Sequence, residues 1–290
     1  MNTTGLTHAG LDPVATERLI RDALTEDVGA GDLTSSSTIP ADTRMECAYV
    51  SRADGVAAGI PVLEAIAEIA LTDGKLTALV GDGELLERGT LLARVEGSAR
   101  EILAMERTSL NLLGHLCGIA TETRRWVDAI AGTGARVRDT RKTLPLLRDL
   151  QKYAVRCGGG VNHRRGLDDA VLIKDNHVAA SGGVGAALDA VRAAGLPDDV
   201  VVQIEVDSLD QLDEALAHGA AQVLIDNFSL DDSAEAVRRV RAATPHVLVE
   251  ASGGLTLDRA RAVAATGVDF LAVGALTHSV AQLDIGLDAT

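Results

Sequence analysis

The chain has 290 residues, of which 47% are apolar and only 2% are aromatic, and its formal net charge is −15. This length fits one large domain or two ordinary ones. The scarcity of aromatic rings and the negative charge argue against a protein that binds single-stranded nucleic acid. The core must be filled by Ala, Val, Leu and Ile, which is typical of α/β layers.

The cysteines and the hydropathy pattern indicate the cellular compartment of the protein. Cys47, Cys117 and Cys157 lie far apart and form no C-x-x-C motif, which argues against a disulfide framework or a zinc knuckle. No apolar run reaches the roughly 18 residues that a membrane span needs. Residues 1–10 lack the basic and then apolar pattern of a signal peptide. We therefore expect a cytoplasmic protein.

The first half of the chain predicts a small α+β domain. Residues 13–26 have a proline near the start and helical apolar spacing, and residues 61–71 form a second predicted helix. The stretch 99–131 is interpreted as two helices that break near Gly118. Short strand-like segments lie between the helices, several of them separated by glycine. These segments are residues 44–51, 55–59, 75–80 and 90–95.

The second half alternates strands and helices with a regular period. Apolar strands are predicted at 201–206, 222–226, 246–250 and 269–274. Positions at or just before their ends are 21, 24 and 23 residues apart, which is about one βα unit, and are occupied by Glu205, Asp226, Glu250 and Val273. Parallel strands with intervening helices predict an α/β barrel, with an open doubly wound sheet as the alternative. No G-x-G-x-x-G follows a strand to support a dinucleotide site. The predicted helices are 208–218, 230–242 and 256–265, and two earlier strands lie within 137–142 and 170–177.

Polar residues follow these strands at the end where barrel enzymes carry their chemistry. The segment 136–174 holds ten Lys or Arg against four Asp or Glu, although the chain as a whole is acidic. Converging cations at Arg141, Lys142 and Lys174 suit carboxylates and phosphates. For Arg148, Lys152 and Arg156, spaced as on one helix face, a solvated surface is the competing interpretation.

The remaining strand ends carry acids and glycines. Glu205 and Asp226 are suited to sugar hydroxyls or to Mg²⁺, or else they pair with the basic cluster. The turns 252–254 (S-G-G) and 274–275 (G-A) allow backbone N–H groups to approach a phosphate, but a tight turn would also need glycine. His163 and His177 show no metal-ligand spacing, so a zinc site is not expected.

At this point the sequence resembles the quinolinate phosphoribosyltransferase family over nearly its whole length, from about residue 26 to the C-terminus. The long match at 139–177 is very specific, whereas the S-G-G and G-A-L pieces alone would be weak. The resemblance is carried by DTRKTLPLLRDLQKYAVRCGGGVNHRRGLDDAVLIKDNH (139–177), ERTSLNLLGHLCGIAT (106–121), IEVDSLDQLDEAL (204–216), LIDNFS (224–229), EASGGL (250–255) and VDFLAVGALTHSVAQLDIGLD (268–288). Ala251 is a small departure, because serine is common there.

The resemblance implies a fold and an activity. The fold would be an α/β open-faced sandwich over 1–117, with 276–290 returning to it, and an irregular α/β barrel over 118–275. The activity would be the conversion of quinolinate and phosphoribosyl pyrophosphate to nicotinate mononucleotide, pyrophosphate and CO₂ with Mg²⁺, in NAD biosynthesis. A homodimer, alone or within a hexamer, would place the N-terminal domain of one subunit over the barrel mouth of the other.

The resemblance also implies roles for individual residues. Lys142, Lys174, Glu205 and Asp226 would be catalytic, and the two acids would hold Mg²⁺ partly through the substrate. Arg107 would enter the neighbouring subunit's site. The full implied substrate-binding set is Arg107, Thr140, Arg141, Lys142, His163, Arg164, Lys174, Glu205, Asp226, Ser252, Gly253, Gly254, Val273, Gly274 and Ala275.

Three alternatives stay open from the sequence. A related phosphoribosyltransferase of molybdenum-transport operons shares barrel motifs, although the full basic set favours the two carboxylates of quinolinate. A barrel aldolase would use Lys174 as a Schiff-base lysine. A non-catalytic protein could bind a phosphosugar as a sensor, and the absence of turnover would identify it.

Overall fold

The computed structural model describes residues 4–290. Residues 1–3, which the expected N-terminal domain includes, lie outside the described part. No helix among the described residues is long and apolar enough to cross a membrane.

Residues 4–129 are largely helical, with short strands between the helices. Helix α2 begins at Pro13, and the carboxylate of Asp12 accepts the Val14 N–H at 2.9 Å, which caps its first turn. The predicted helices at 13–26 and 61–71 are confirmed within a few residues. The elements are α1 (Thr4–His8), α2 (Pro13–Val28), α3 (Leu33–Thr38), β1 (Arg44–Ser51), β2 (Gly55–Val56), α4 (Ile60–Ala70), β3 (Lys75–Ala78), β4 (Leu85–Leu86), β5 (Leu91–Ser98) and α5 (Ala99–Ala129).

The rest of the chain has the alternation of strands and helices that the sequence predicts. The strand expected at 201–206 is confirmed with the same limits, and the strand at 269–274 is shorter than expected. The elements are β6 (Arg136–Arg138), α6 (Arg148–Cys157), β7 (Ala170–Ile173), α7 (Asp175–Ser181), α8 (Val184–Ala193), β8 (Val201–Val206), α9 (Leu209–Ala217), β9 (Gln222–Asp226), α10 (Leu230–Ala243), β10 (Leu248–Ser252), α11 (Leu257–Ala264), β11 (Phe270–Ala272), α12 (Ala275–His278) and β12 (Ile285–Ala289).

These elements form two compact units. The first unit comprises residues up to 124 together with 143–159 and 275–290, and the second comprises 125–142 and 160–274. The limits drawn from the sequence, 1–117 and 118–275, differ from this grouping mainly at 143–159, which contains α6. The reason is a set of tertiary contacts from α6, such as the hydrogen bond between the Tyr153 hydroxyl and Asp82.

The first unit is built on an antiparallel sheet with strand order β12-β1-β5-β3. The C-terminal strand β12 pairs with β1, so that Cys47 lies opposite Ala289. Tyr49 on β1 is fully buried, and its hydroxyl is 2.9 Å from the Ser109 hydroxyl of α5. This hydrogen bond ties the sheet to the long helix.

The second unit is an irregular α/β barrel, which confirms the predicted class. Its parallel strands have the order β6-β11-β10-β9-β8-β7, so the first strand pairs with the last one. Among the described residues β6 and β7 do not pair with each other, and the barrel is open there. A single parallel bridge joins Arg138 to Val161 on the side of β6 that does not pair with β11. All six strands therefore end at one edge of the sheet.

The predicted helix break near Gly118 is wrong, because α5 is continuous from Ala99 to Ala129. Gly118 is needed for a close approach instead. A Cβ atom added there would overlap the carbonyl oxygen of Ala281 and lie 3.1 Å from the Cα of Gln282. Glycine at this position lets the C-terminal segment pack directly against the helix backbone.

The interpretation of Arg148, Lys152 and Arg156 as one solvated helix face is also wrong. Lys152 is only 4% exposed, and Arg148 is partly covered, whereas Arg156 is exposed. Helix α6 buries most of its residues between 150 and 155. Charge at helical spacing cannot show which face a helix presents to its neighbours.

We expect Gly118→Ala to lower the free energy of unfolding by about 2 kcal/mol, because the added methyl group meets backbone atoms that cannot rotate away. The urea midpoint and slope give this value. Gly185→Ala is the control, because its Cβ would meet the His218 ring, at 2.5 Å from Nε2, and this partly exposed side chain can move. Equal stability of G118A and the parent would contradict the close-approach explanation.

Candidate active site

A pocket of about 380 Å³ lies at the carboxyl ends of the barrel strands. It brings together residues from seven segments that are separated in the sequence, as expected for parallel strands that end at one edge. Nine of the predicted site residues line it: Thr140, Arg141, Lys142, His163, Arg164, Lys174, Glu205, Asp226 and Ser252. The other lining residues are Leu172, Leu224, Glu250 and Ala272.

The remaining predicted residues do not line this pocket. Gly253 and Gly254 border a smaller cavity of about 30 Å³ next to Ser252. The Val273 N–H donates to the Arg138 carbonyl at 2.8 Å, so it is already engaged in the sheet. The others are Gly274 at the end of the second unit, Ala275 at the start of α12, and Arg107, which is exposed on α5 in the first unit.

The cations of the pocket differ in how they are paired. Lys174 Nζ donates to Glu205 Oε2 at 2.6 Å. Within residues 4–290, the buried Nε atoms of Arg141 and Arg164 have no hydrogen-bond partner. Burial lowers the pKa of Arg164, and the nearby Arg141 guanidinium lowers it further. Two guanidinium groups held close together with unused donors are suited to an anion that carries more than one negative charge.

His163 is held by the protein through both ring nitrogens. Its Nδ1 accepts the Arg164 N–H at 2.7 Å, so the neutral ring carries its hydrogen on Nε2, which lies 3.0 Å from Gln203 Oε1. The buried Asp139 carboxylate accepts the His163 N–H at 2.7 Å and the Asn162 amide at 2.6 Å. The ring therefore orients the backbone of Arg164.

A buried ion pair lies beneath this region and was not singled out from the sequence. Arg138 Nη1 donates to Glu250 Oε2 at 2.6 Å, and the guanidinium lies 3.8 Å from the centre of the Phe270 ring. Glu250 is 1% exposed, and its burial raises its pKa, although Arg138 opposes this. The sequence did offer a signal for Glu250, because this residue ends a predicted strand as Glu205 does.

The acids Glu205 and Asp226 line the same pocket from neighbouring strands β8 and β9. Among the described residues no group of three or more His, Cys, Asp or Glu side chains could hold a metal ion. Two carboxylates fit a Mg²⁺ ion only if other oxygen ligands complete its shell. The donor set is therefore compatible with a metal that is shared with an anionic substrate.

The glycines of the 252–254 turn are required by the backbone. Gly253 has φ +86° and Gly254 has φ +54°, the left-handed region that favours glycine. A Cβ atom at Gly253 would also lie 2.7 Å from the backbone nitrogen of Asn227. The turn is thus packed against the end of β9, and a phosphate contact from it stays a prediction.

His177 has a structural partner. Its Nδ1 accepts the Lys174 N–H at 3.0 Å at the start of α7. This bond fixes the backbone from which the Lys174 side chain extends.

We expect Arg138→Met to lower the free energy of unfolding by about 3 kcal/mol at neutral pH, because Glu250 would be left buried without its partner. The loss should be smaller at a mildly acidic pH than at neutral pH, since burial raises the pKa of Glu250 and a larger fraction of its carboxyl group is then neutral. Urea unfolding at both pH values measures this. Arg238→Met is the control, because Arg238 pairs with Glu235 at the surface. A loss at R138M that does not depend on pH would contradict the charge argument.

The chain matches two family models that together cover most of its length. They are described as the quinolinate phosphoribosyl transferase N-terminal domain, over residues 32–117, and C-terminal domain, over residues 119–288. The "nicotinate-nucleotide pyrophosphorylase [carboxylating]" of Mycobacterium leprae is 54% identical over 272 residues, covering 93% of this chain and 95% of that protein.

Two further relatives agree. The "quinolinate phosphoribosyltransferase [decarboxylating] 2, mitochondrial" of Nicotiana glauca is 36% identical, covering 91% of this chain and 79% of that protein. The solved nicotinate-nucleotide pyrophosphorylase of Francisella tularensis superposes with a TM-score of 0.88 at 35% identity, covering 96% of each chain. With an irregular barrel, a basic pocket at its strand ends and both family domains in order, this chain belongs to the quinolinate phosphoribosyltransferase family.

Proposed function

We propose that this enzyme transfers the phosphoribosyl group of phosphoribosyl pyrophosphate to quinolinate and releases CO₂, giving nicotinate mononucleotide and pyrophosphate in NAD biosynthesis. The observation that carries the proposal is the pocket in which Arg141, Arg164 and Lys174 lie together with Glu205 and Asp226. Such a pocket suits a dicarboxylate beside a sugar. Its relatives are named for the two directions of this reaction.

Quinolinate is the ligand that we assign to the arginine end of the pocket. Arg141 and Arg164 have buried Nε donors without partners among the described residues, and Lys174 is already positioned by Glu205. A dianion would gain several charge-assisted hydrogen bonds there without reorganising the protein. Thr140 and His163 would contribute by holding the backbones of Lys142 and Arg164.

Phosphoribosyl pyrophosphate is assigned to the acidic side of the pocket. Glu205 and Asp226 would accept hydrogen bonds from the ribose hydroxyls and stabilise positive charge on the sugar. Lys142 would lie between quinolinate and pyrophosphate and stabilise the leaving group. The turns that would bind the 5′-phosphate are Ser252, Gly253 and Gly254 together with Val273, Gly274 and Ala275.

The bond changes need little acid–base catalysis. The quinolinate nitrogen attacks the anomeric carbon as the bond to pyrophosphate breaks, and holding both anions in one pocket lowers the entropic cost. The alkylated ring is then cationic. Loss of CO₂ from the adjacent carbon leaves an electron pair that the ring cation stabilises, and a solvent proton replaces the carboxyl group. No covalent enzyme intermediate is required.

Mg²⁺ is the cofactor that we propose. Glu205 and Asp226 would hold it together with oxygens of the substrate, since the two carboxylates alone do not complete its shell. The ion would neutralise charge on the pyrophosphate as it leaves. Each acid also accepts one hydrogen bond from the protein, Glu205 from Lys174 Nζ and Asp226 from the side-chain amide of Asn227, both at 2.6 Å.

A homodimer with shared sites is the assembly that we propose, and a hexamer would be three such dimers. Arg107 is exposed on α5 and is not among the residues that line the pocket. The family resemblance assigns it to the neighbouring subunit's site. A site formed by two subunits would thus gain a cation from the neighbouring subunit at the end of the pocket that we assign to quinolinate.

The cytoplasm is the compartment that we propose. Cys47 and Cys117 are buried as free thiols. Free thiols are retained in reducing compartments, where disulfides are rare. Both precursors and the nucleotide product would then be available to other cytoplasmic enzymes.

The deciding experiment is an assay for CO₂ and nicotinate mononucleotide from quinolinate and phosphoribosyl pyrophosphate, with and without Mg²⁺. Nicotinate replaces quinolinate in a control, since a monoacid transferase would prefer it. Turnover that needs quinolinate and Mg²⁺ supports the proposal. Absence of turnover in purified protein would leave a sensor as the better explanation.

An aldolase mechanism is less compatible with the geometry. A Schiff-base lysine must attack as a neutral amine. Lys174 instead donates to the Glu205 carboxylate at 2.6 Å, so its amino group is already engaged in an ion pair. Borohydride trapping of Lys174 with a carbonyl substrate would reverse this conclusion.

We expect Lys174→Ala and Arg141→Ala each to lower kcat/KM by at least about 100-fold, because each removes a charged contact worth roughly 3 kcal/mol in the pocket. Steady-state kinetics measures the loss, and circular dichroism checks the fold. Lys75→Ala, in strand β3 of the other unit, is the matched control and should keep full activity. A near-normal rate for K174A or R141A would remove that residue from the site.

Mixing Arg107→Ala with Lys174→Ala subunits should restore about a quarter of the parent activity. Random pairing makes half of the dimers mixed, and each mixed dimer has one intact site of two. The mixture is assayed after reversible dissociation and compared with each variant alone. No recovery would show that Arg107 acts within its own subunit.

A further inference from the structure

Gln151, in the first half of α6, is fully buried and hydrogen-bonds three separate segments of the first unit. Its Oε1 accepts the backbone N–H of Leu144 at 2.9 Å. Its Nε2 donates to the Thr277 carbonyl at 2.8 Å and lies 2.8 Å from His115 Nε2. One side-chain amide therefore joins α5, α12 and the loop that follows β6.

The orientation of this amide is determined by its partners. The Thr277 carbonyl can only accept and the Leu144 N–H can only donate, so the amide nitrogen must face Thr277. His115 Nε2 must then accept as well, which places the ring hydrogen on Nδ1. Burial lowers the pKa of His115 and favours this neutral ring. Neither an apolar nor an acidic side chain could make the same three bonds.

The loop that Gln151 holds carries the basic residues of the pocket. Leu144 follows Lys142 by two residues and Arg141 by three. A second contact from α6 holds the same place, because Arg148 Nε donates to Thr143 Oγ1 at 3.0 Å. The segment just after Arg141 and Lys142 is thus held by two side chains from the beginning of α6, one at the Leu144 backbone and one at the Thr143 side chain.

We propose that Gln151 is a positioning residue for the phosphoribosyl transfer, acting on Arg141 and Lys142 through the backbone of Leu144. The inference rests on the proposed function, because those two cations are assigned there to quinolinate and pyrophosphate. Catalytic groups must be held within about 0.5 Å of their working geometry. A loop bearing two of them needs an anchor outside the pocket, and Gln151 supplies it.

The alternative is that Gln151 only stabilises the fold. A structural role alone would change the free energy of unfolding but would leave the kinetics of the folded enzyme unaltered. A positioning role predicts two further effects. The amides of residues 139–147 should exchange faster, and the loss of activity should depend on the presence of Lys142.

The test uses Gln151→Met in the full-length enzyme, a change that keeps the volume and removes all three hydrogen bonds. We expect kcat/KM for quinolinate to fall about 30- to 100-fold, with faster hydrogen exchange in a peptide spanning 139–147. Tyr49→Phe is the control. It removes a buried hydrogen bond of the first unit, the 2.9 Å contact between the Tyr49 and Ser109 hydroxyls, and neither residue adjoins the pocket lining, so kinetics should be unchanged.

A double variant separates positioning from stability. Lys142→Ala combined with Gln151→Met should cost less than the product of the two single losses, since a missing ammonium cannot be misplaced. Strictly multiplicative losses, or an unchanged rate and unchanged exchange in Q151M, would overturn the proposal. An inactive parent enzyme would overturn the proposed function itself, whereas an active parent with a fully active Q151M variant overturns only this inference.

Thr143→Val gives an independent test if the buried change prevents folding. It removes the Arg148 contact from a partly exposed residue, and it leaves Gln151 in place. We expect a smaller loss of kcat/KM, about three- to tenfold, with faster exchange confined to the same peptide. Normal kinetics together with normal exchange would overturn the idea that this loop needs anchoring from α6.

Discussion

The pairing of β6 with β11 is the constraint on which the pocket depends. Ala272 lies opposite Arg138, so the first barrel strand is aligned with the last one. All six strands then end at one edge, although the basic residues after β6 and the acids within the last two residues of β8 and β9 lie more than 60 residues apart. Parallel pairing brings their carboxyl ends together. The opening between β6 and β7 leaves room for the segment around His163.

Some charged side chains of the pocket form ion pairs, whereas others have buried donors without a partner among the described residues. Arg138 pairs with Glu250 beneath the pocket, and Lys174 pairs with Glu205 at its wall. A buried charge is tolerated only when it is paired within the protein or can bind a ligand of opposite charge. Arg141 and Arg164 are the exceptions, since the buried Nε of each has no hydrogen-bond partner among the described residues. This contrast explains why an acidic protein concentrates cations in one segment. It also predicts that an anionic ligand binds at the arginines.

Glycine and charge patterns were the weakest guides in the sequence. Gly118 suggested a helix break, but α5 continues through it because the residue makes room for the carbonyl of Ala281. Gly253 suggested a phosphate turn, and its conformation and its contact with Asn227 already require glycine. Lys152 suggested a solvated face and is buried. In each case the deciding neighbour is distant in the sequence, so no local pattern could reveal it.

The sequence by itself determined the βα succession, the strand ends and the residues that could meet there, because apolar periodicity and strand spacing are local properties. It also carried the motif at 139–177 that identifies the family. Only the tertiary structure decided that Glu250 pairs with Arg138 and that Gln151 holds Leu144. It also decided that α6 joins the first unit. Such contacts depend on how separate segments pack, and packing is a property of the whole fold rather than of any stretch of the chain.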